Sequence, residues 1–297
     1  MRHAFGDAPD CRRFGAGKQQ TALGLNNDDI LACLTSRGGA ATKRLRTHRQ
    51  AAPMALPPST DLPCDAAIML DAGSSEHGFF QGAVLGARGL GFEYLGYLIG
   101  VPAANSGWRF VMTNNFPRAW QERYLRRGYH AIDPTVQYAK TASAPLAWSR
   151  ELFAGEALGA LARDTLEIGL NHGWTQPLHD AKGGFGMLTL ARRGGPLGEE
   201  ELRTKSPMMQ WLAHVVHQRL FGEFQAWQRN AAMGRLTERE LACLRLAAEG
   251  GTAAEISRLT GVGERTVNFH MANAISKLGA ANKTHAVALA MRLGLLD

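Results

Sequence analysis

The stretch from Leu236 to Leu278, LTERELACLRLAAEGGTAAEISRLTGVGERTVNFHMANAISKL, constrains this chain more than any other. Thr237 followed by Glu240 spells a capping box, in which a hydroxyl and a carboxylate each satisfy a backbone N–H that has no partner inside the helix. Leu236 ahead of the cap pairs with Leu241 as a hydrophobic staple and sets how the chain enters the helix. Thr252 with Glu255 repeats the device, and Gly250-Gly251 between them stops the first helix. The second helix is short and closed by Gly261, and a turn from Gly261 to Glu264 leads into a third. In that third helix Val267, Met271, Ala274 and Leu278 recur at helical spacing as a narrow apolar stripe. Its opposite face then carries Arg265, Asn268, Phe269, Ala272, Asn273 and Ser276. A helix, a glycine-marked turn and a second helix with a small, polar outer face predict a helix-turn-helix. An ordinary helical bundle would share the periodicity. It would not explain an outward Phe269, nor amide and guanidinium groups suited to base edges and phosphates.

The run ERTVNFHMANAISKLGAANKTHAVALAMRLGLL, with LTEREL before it, resembles the DNA-binding domain of LuxR-type transcription regulators across Leu236 to Leu296. The resemblance implies an all-α four-helix domain whose last helix starts at a Thr284 cap. On the outer face Asn268, Phe269 and Ala272 are expected in the major groove, and Arg265, Thr266 and Lys277 on phosphates. Thr252 and Asn273 complete the DNA-binding set.

Charge alone would not have found this end. The formal net charge is +7 over 297 residues, yet residues 235–297 hold 8 basic and 6 acidic side chains, no more biased than the rest. Helix N-termini and a few placed cations must therefore supply the phosphate contacts. The four cysteines (Cys11, Cys33, Cys64 and Cys243) have no metal-ligand spacing and read as free thiols of a reducing compartment. No apolar run reaches the length of a membrane span and no signal core follows Met1, so the expected location is cytoplasmic, away from any membrane.

Residues 1–68 lack a sustained apolar period; AAPMALPPSTDLP reads as a Pro-rich linker, a short helix is conceivable at 27–33, and Met69 is an alternative start. The segment is expected to be disordered, with a basic arm as the functional alternative. A sensor domain is expected over 69–229, a linker over 230–235 and the DNA-binding domain over 236–297. Within the sensor, Phe80, Ala83, Val84, Ala87 and Leu90 fit the inner face of a helix, GFEYLGYLIGV a buried strand and WRFVMTN a second one. PRAWQERYLRRG reads as a helix between Pro117 and Gly128, and Asp133-Pro134 opens another, with Trp148 in a turn after Pro145. A longer amphipathic helix offers Leu158, Leu161, Leu166 and Ile168 for packing, HGWTQPL and FGMLTLAR form a hairpin, and a long helix starts at Pro207. His214 and His217 lie one turn apart on it without a third ligand, so no metal site is expected.

Singly, Trp120, Tyr124, Asp133 and Trp148 read as core aromatics and a helix cap. As the set W-x3-Y-x8-D-P-x13-W, with Gly173 downstream, they resemble the ligand-binding domain of the acyl-homoserine-lactone receptors of the LuxR type. The resemblance implies a ligand-binding set of Phe116, Trp120, Tyr124, Asp133, Trp148 and Thr189. The Trp120 indole, a donor only, suits the lactone carbonyl; the Asp133 carboxylate, an acceptor only, suits the amide N–H. Trp148 would lie against the lactone ring, Tyr124 would wall the acyl chain, and Thr189 would meet the amide carbonyl. Family members often carry Tyr where this chain has Phe116, so one polar contact must come from Thr189 or a water.

The expected architecture is α+β: an N-terminal α/β/α sandwich with an antiparallel sheet, followed by the helix-turn-helix domain. The expected function is quorum-sensing control of transcription, as a homodimer on a two-fold DNA site, with RNA polymerase as a further partner and no cofactor. One rival is a LuxR-type solo regulator answering a different small molecule. Another is a lactone hydrolase, which no nucleophile elbow, metal cluster or Ser/His/Asp grouping favours.

Overall fold

The computed structural model describes residues 75–102 and 107–296. The expectations for 1–68, for Met69 and for most of the connection between the first two strands lie outside them. Ser75 caps the first helix, α1 (Glu76–Gly89), by accepting from the Gly78 N–H, and the helix buries Phe79, Phe80, Ala83, Val84 and Ala87 on one stripe. Strands β1 (Tyr94–Pro102) and β2 (Trp108–Asn114) follow as a hairpin pair. Next come α2 (Arg118–Arg126), α3 (Pro134–Ala139), β3 (Leu146–Ser149), α4 (Gly159–Glu167), β4 (His172–His179) and β5 (Phe185–Arg192). The sheet is antiparallel throughout, in the order β2-β1-β5-β4-β3. The hairpin β4-β5 closes around residues 181–184, as its turn residues predict.

The long helix α5 (Glu199–Met233) and α1 cover one face of the sheet, and α2, α3 and α4 the other. Alternation along the strands sends Leu95, Tyr97, Ile99, Trp174, Leu188 and Leu190 into the first layer. The expected sandwich is therefore the one found. The last four helices, α6 (Glu238–Ala248), α7 (Ala253–Thr260), α8 (Glu264–Leu278) and α9 (Lys283–Arg292), enclose a separate core around Leu241, Cys243, Leu244, Ile256, Val267, Met271 and Ala274. Both capping boxes, Thr237–Glu240 and Thr252–Glu255, are made.

Five local expectations need correction. Trp148 is not in a turn but in the edge strand β3, paired with Gly173. α4 is shorter than expected: a 3-10 turn at Glu156–Leu158 precedes it, and Leu166 is 57% exposed instead of packed. α5 begins at Glu199, not at Pro207, which sits inside it; Glu199, Glu200 and Glu201 complement the positive end of the helix dipole there. The same helix runs to Met233, through most of the segment read as a linker. The last helix is capped by Asn282, whose side chain accepts from the His285 N–H, and not by Thr284.

Candidate functional site: a lined pocket and an exposed helix face

The sheet face under α2, α3 and α4 is organised in rows, because residues directly opposed across an antiparallel sheet point the same way. Trp148, Gly173 and Ala191 form one row. Gly96, Thr189 and Thr175 form the next, and Met112, Leu98 and Met187 the third. About 560 Å³ of empty space, its mouth included, lies between these rows and the helices above. All six ligand-binding candidates (Phe116, Trp120, Tyr124, Asp133, Trp148 and Thr189) line it, although the last is separated from the first by more than seventy positions.

α2 contributes Trp120 and Tyr124 one turn apart, with Phe116 just before the helix; the rings pack in series, tilted, at 4.7 and 4.8 Å between centroids. The Trp120 Nε1–H is buried and has no hydrogen-bond partner. A buried donor without an acceptor costs free energy, and here it borders an open cavity. Asp133 accepts from both the Thr135 N–H (2.9 Å) and the Thr135 hydroxyl (2.6 Å) at Oδ1, and from the Tyr124 hydroxyl (2.9 Å) at Oδ2. The capping role expected from Asp-Pro is thus real. The Val136 N–H also draws on this carboxylate, and Asp133 lines the cavity. Burial pushes the Asp133 carboxyl above its ordinary value, against the downward pull of the Thr135 and Tyr124 bonds, and burial pushes the Tyr124 hydroxyl well up.

Trp148 Nε1 donates to Thr175 Oγ1 (2.9 Å), which lies 3.1 Å from Thr189 Oγ1. Thr175 is fully buried and was not foreseen from the sequence; its place directly across from Thr189 in the register is the signal that would have found it. Gly173 is there because the Trp148 ring lies on it: a Cβ would sit 2.3 Å from Trp148 Cζ2 and 2.6 Å from the Leu190 carbonyl oxygen. The roof is braced by a second unforeseen group. Asp164 of α4 accepts from Tyr129 (2.6 Å), Arg123 (2.9 Å) and Arg127 (3.2 Å), and Glu167 also pairs with Arg123. Burial raises the Asp164 carboxyl, but Tyr129 and Arg123 outweigh it and leave its pKa below the usual value.

In the C-terminal domain, α7, the turn after it and α8 form the helix-turn-helix. Arg265, Thr266, Asn268, Phe269 and Ala272 are exposed on α8, with Phe269 at 61%, while Asn273 is half-buried. Val267, Met271 and Ala274 are buried and Leu278 packs partly against the same core, so the stripe and its opposite face fall as expected. Thr252 is exposed at the start of α7, but its hydroxyl already accepts from the Glu255 N–H (3.3 Å) and donates to the Glu255 carboxylate (2.8 Å). Lys277 is engaged within the domain. Its ammonium donates to both oxygens of Glu240 at 2.7 and 2.8 Å, which ties α8 to the start of α6. Burial raises Glu240, but Lys277 and the Thr237 bonds hold it below the usual carboxylate range. Elsewhere, His214 lies 2.8 Å from the Gln210 carbonyl and His217 lies 2.8 Å from the Tyr97 hydroxyl. No described helix is long and apolar enough to cross a membrane.

A sensor pocket in one domain and a presented recognition helix in the next define a ligand-responsive, DNA-binding regulator. Residues 75–220 match the autoinducer binding domain, and residues 234–290 match the bacterial regulatory proteins of the luxR family. The transcriptional activator protein AnoR of Acinetobacter nosocomialis is 39% identical over 213 residues, covering 71% of this chain and 88% of AnoR. SdiA of Escherichia coli superposes with a TM-score of 0.60 at 27% identity, over 78% of this chain and 96% of its own, and SdiA has also been solved with octanoyl-rac-glycerol. CepR2 of Burkholderia cenocepacia, an N-acylhomoserine-lactone-dependent LuxR-family factor, superposes at a TM-score of 0.50 and 26% identity, over 54% of this chain and 93% of its own. The chain belongs to the LuxR family of transcription regulators, with an autoinducer-binding domain and a helix-turn-helix DNA-binding domain.

Proposed function

We propose that the chain is a cytoplasmic quorum-sensing activator whose ligand is an N-acyl-homoserine lactone, sensed by residues 69–229 and passed to DNA by residues 236–297. The observation that supports this reading most is the unpartnered, buried Trp120 indole N–H on the wall of a cavity that the Asp133 carboxylate also lines. One donor and one acceptor suit a molecule with a ring carbonyl and an amide N–H. Thr189, backed by Thr175, would then take the amide carbonyl, and Phe116 leaves that carbonyl without the phenol common in the family. Arg265 and Thr266 would hold phosphates, and Asn268, Phe269, Ala272 and Asn273 would face base edges, with the exposed start of α7 at Thr252 alongside. The working unit would be a homodimer on a two-fold site, the usual consequence of one recognition helix per half-site, and RNA polymerase would be its partner in activation. The ligand would leave unchanged.

The test is direct binding of N-octanoyl-homoserine lactone to the purified full chain, its Asp133→Asn and Trp120→Phe variants, and the double variant. Asn can still cap α3 and Phe keeps most of the ring, so the fold should persist. Each single change should weaken binding by about 1.5–3 kcal/mol, roughly ten- to a hundredfold, and the double change should cost less than the sum. Unchanged binding in both single variants would overturn the site. Binding of octanoyl-rac-glycerol in place of every lactone would move the chain to the solo regulators, and recovery of hydrolysed lactone would make it an enzyme.

A further inference from the structure

The row pattern of the pocket floor continues beyond the cavity and changes character. After Met112, Leu98 and Met187 the next row is Phe110, Gly100 and Phe185, and beyond it Trp108 stands opposite Pro102. Met112, Leu98 and Met187 line the cavity, whereas neither Phe110 nor Phe185 does. Gly100 leaves no gap between them, because the Phe185 ring lies on it: a Cβ there would be 2.4 Å from Phe185 Cε1. The two rings meet at 6.4 Å and 73°, and Trp108 packs edge-on against Phe185 at 5.2 Å. The wall is also pinned from above. His130 lies 4.8 Å from the Phe110 ring, and the Lys140 ammonium lies 5.8 Å from Phe110 and 6.0 Å from Trp108. Trp108 itself is 36% exposed, so solvent lies immediately behind the wall.

We propose that Phe110 and Phe185 form a fixed end-stop that limits the receptor to acyl chains of about eight carbons or fewer, an inference that rests on the lactone reading above. The length follows from the sheet. From the Thr189 row, where the amide carbonyl is placed, to the Phe185 row is two steps of about 6.8 Å along an antiparallel strand. Contact with the rings takes up about 3.7 Å of that distance. About 10 Å remains, and an extended chain with C–C bonds of about 1.5 Å advances roughly 1.3 Å per carbon. Longer chains would have to displace an aromatic wall held on three sides or bend back over Met112 and Met187.

The experiment titrates the purified full chain with N-acyl-homoserine lactones of four, six, eight, ten, twelve and fourteen carbons. Phe110→Ala, Phe110→Leu and the opposite-face control Val111→Ala are titrated alongside. Wild type should bind tightest at about six to eight carbons and lose affinity at twelve. Phe110→Ala should bind the twelve-carbon lactone about tenfold more tightly than wild type does, the return from burying roughly two further methylenes. Phe110→Leu should shift the preference the same way by less, and it covers the case in which the Ala variant folds poorly; Val111→Ala should leave the ranking unchanged. Wild type that binds twelve carbons as tightly as eight would overturn the end-stop while leaving the lactone reading intact. An unaltered ranking in both Phe110 variants would do the same. Failure of every lactone to bind wild type would overturn the lactone reading and the end-stop with it.

Discussion

The pocket and the recognition helix are both recognition surfaces, but they hold their polar groups in opposite states. Trp120 Nε1 and Asp133 are buried, and one of them lacks a partner, whereas Arg265, Asn268 and Phe269 stand in water. A buried group depends on its neighbours to within a fraction of an ångström, and a solvated one hardly notices them. Changes of volume in the pocket should therefore act on fold and ligand together, and changes on the exposed face of α8 should act on DNA alone.

The largest contrast uses the smallest substitution. Gly173→Ala adds one methyl where Trp148 and the Leu190 carbonyl leave no room, and Ala272→Ser adds one hydroxyl on an exposed face. We expect Gly173→Ala to cost about 3 kcal/mol and to abolish ligand response, while Ala272→Ser stays within about 0.5 kcal/mol. Thermal denaturation of the two proteins decides it; equal shifts would erase the distinction between the surfaces.

Lys277 sharpens the comparison, because it lies in the DNA-binding domain yet behaves like a pocket residue. The Glu240 side chain is only 3% exposed, so Lys277→Ala leaves a buried carboxylate with only the bonds from Thr237. The expected loss is about 1–2 kcal/mol of stability. DNA affinity would fall only through the unfolded fraction, with the salt slope kept. Arg265→Ala should instead keep stability and lower the slope by about one. A depressed carboxylate stabilises the fold at neutral pH and loses that contribution as pH falls through its folded value. The wild type should therefore lose in acid a stabilisation that Lys277→Ala lacks. A reduced salt slope in Lys277→Ala would return this lysine to the phosphates.

What the sequence made legible follows the same division. The caps at Thr237 and Thr252, the α8 stripe and its outer face are local, and each was readable from residues three or four positions apart. The pocket set was readable only as a resemblance, since Thr189 on β5 and Trp120 on α2 come to one cavity through the packing of the helix over the sheet. The Lys277–Glu240 pair was not legible either, because its two members lie 37 residues apart. Pro207 was read as a helix start because an interior proline is costly, yet the acidic run at 199–201 was the stronger start signal. Leu166 was assigned to packing by periodicity along a helix that the turn at Glu156–Leu158 shortens.

Asn268 tests the other side of the contrast. Its exposed amide can pair with one adenine through two hydrogen bonds. Asn268→Ala should lose about 1–3 kcal/mol of discrimination at a single base position, leaving non-specific DNA binding and ligand affinity unchanged. Selection of binding sites from a random DNA pool by wild type and variant would show it; an unrelaxed motif would move base reading elsewhere on α8.

The smallest expected effect is the pH dependence of ligand affinity, and it isolates Asp133. Burial raises this carboxyl, which favours its protonated form, and its contribution to stability grows as pH falls through the raised value. The ligand's amide N–H is accepted best by the ionised form, so binding draws the pKa back down and releases a proton. Affinity should therefore rise with pH through the window above the ordinary carboxylate value and flatten once Asp133 is ionised in the free protein. The slope cannot exceed tenfold per unit for a single group. Two neighbours stay silent in that window: Tyr124 is pushed well up, and His217, on the other face of the sheet, is pushed down to about 4. Titrating N-octanoyl-homoserine lactone against wild type and Asp133→Asn at several pH values separates the cases. The slope should vanish in the variant, and a slope that survives the substitution would assign the proton to another group.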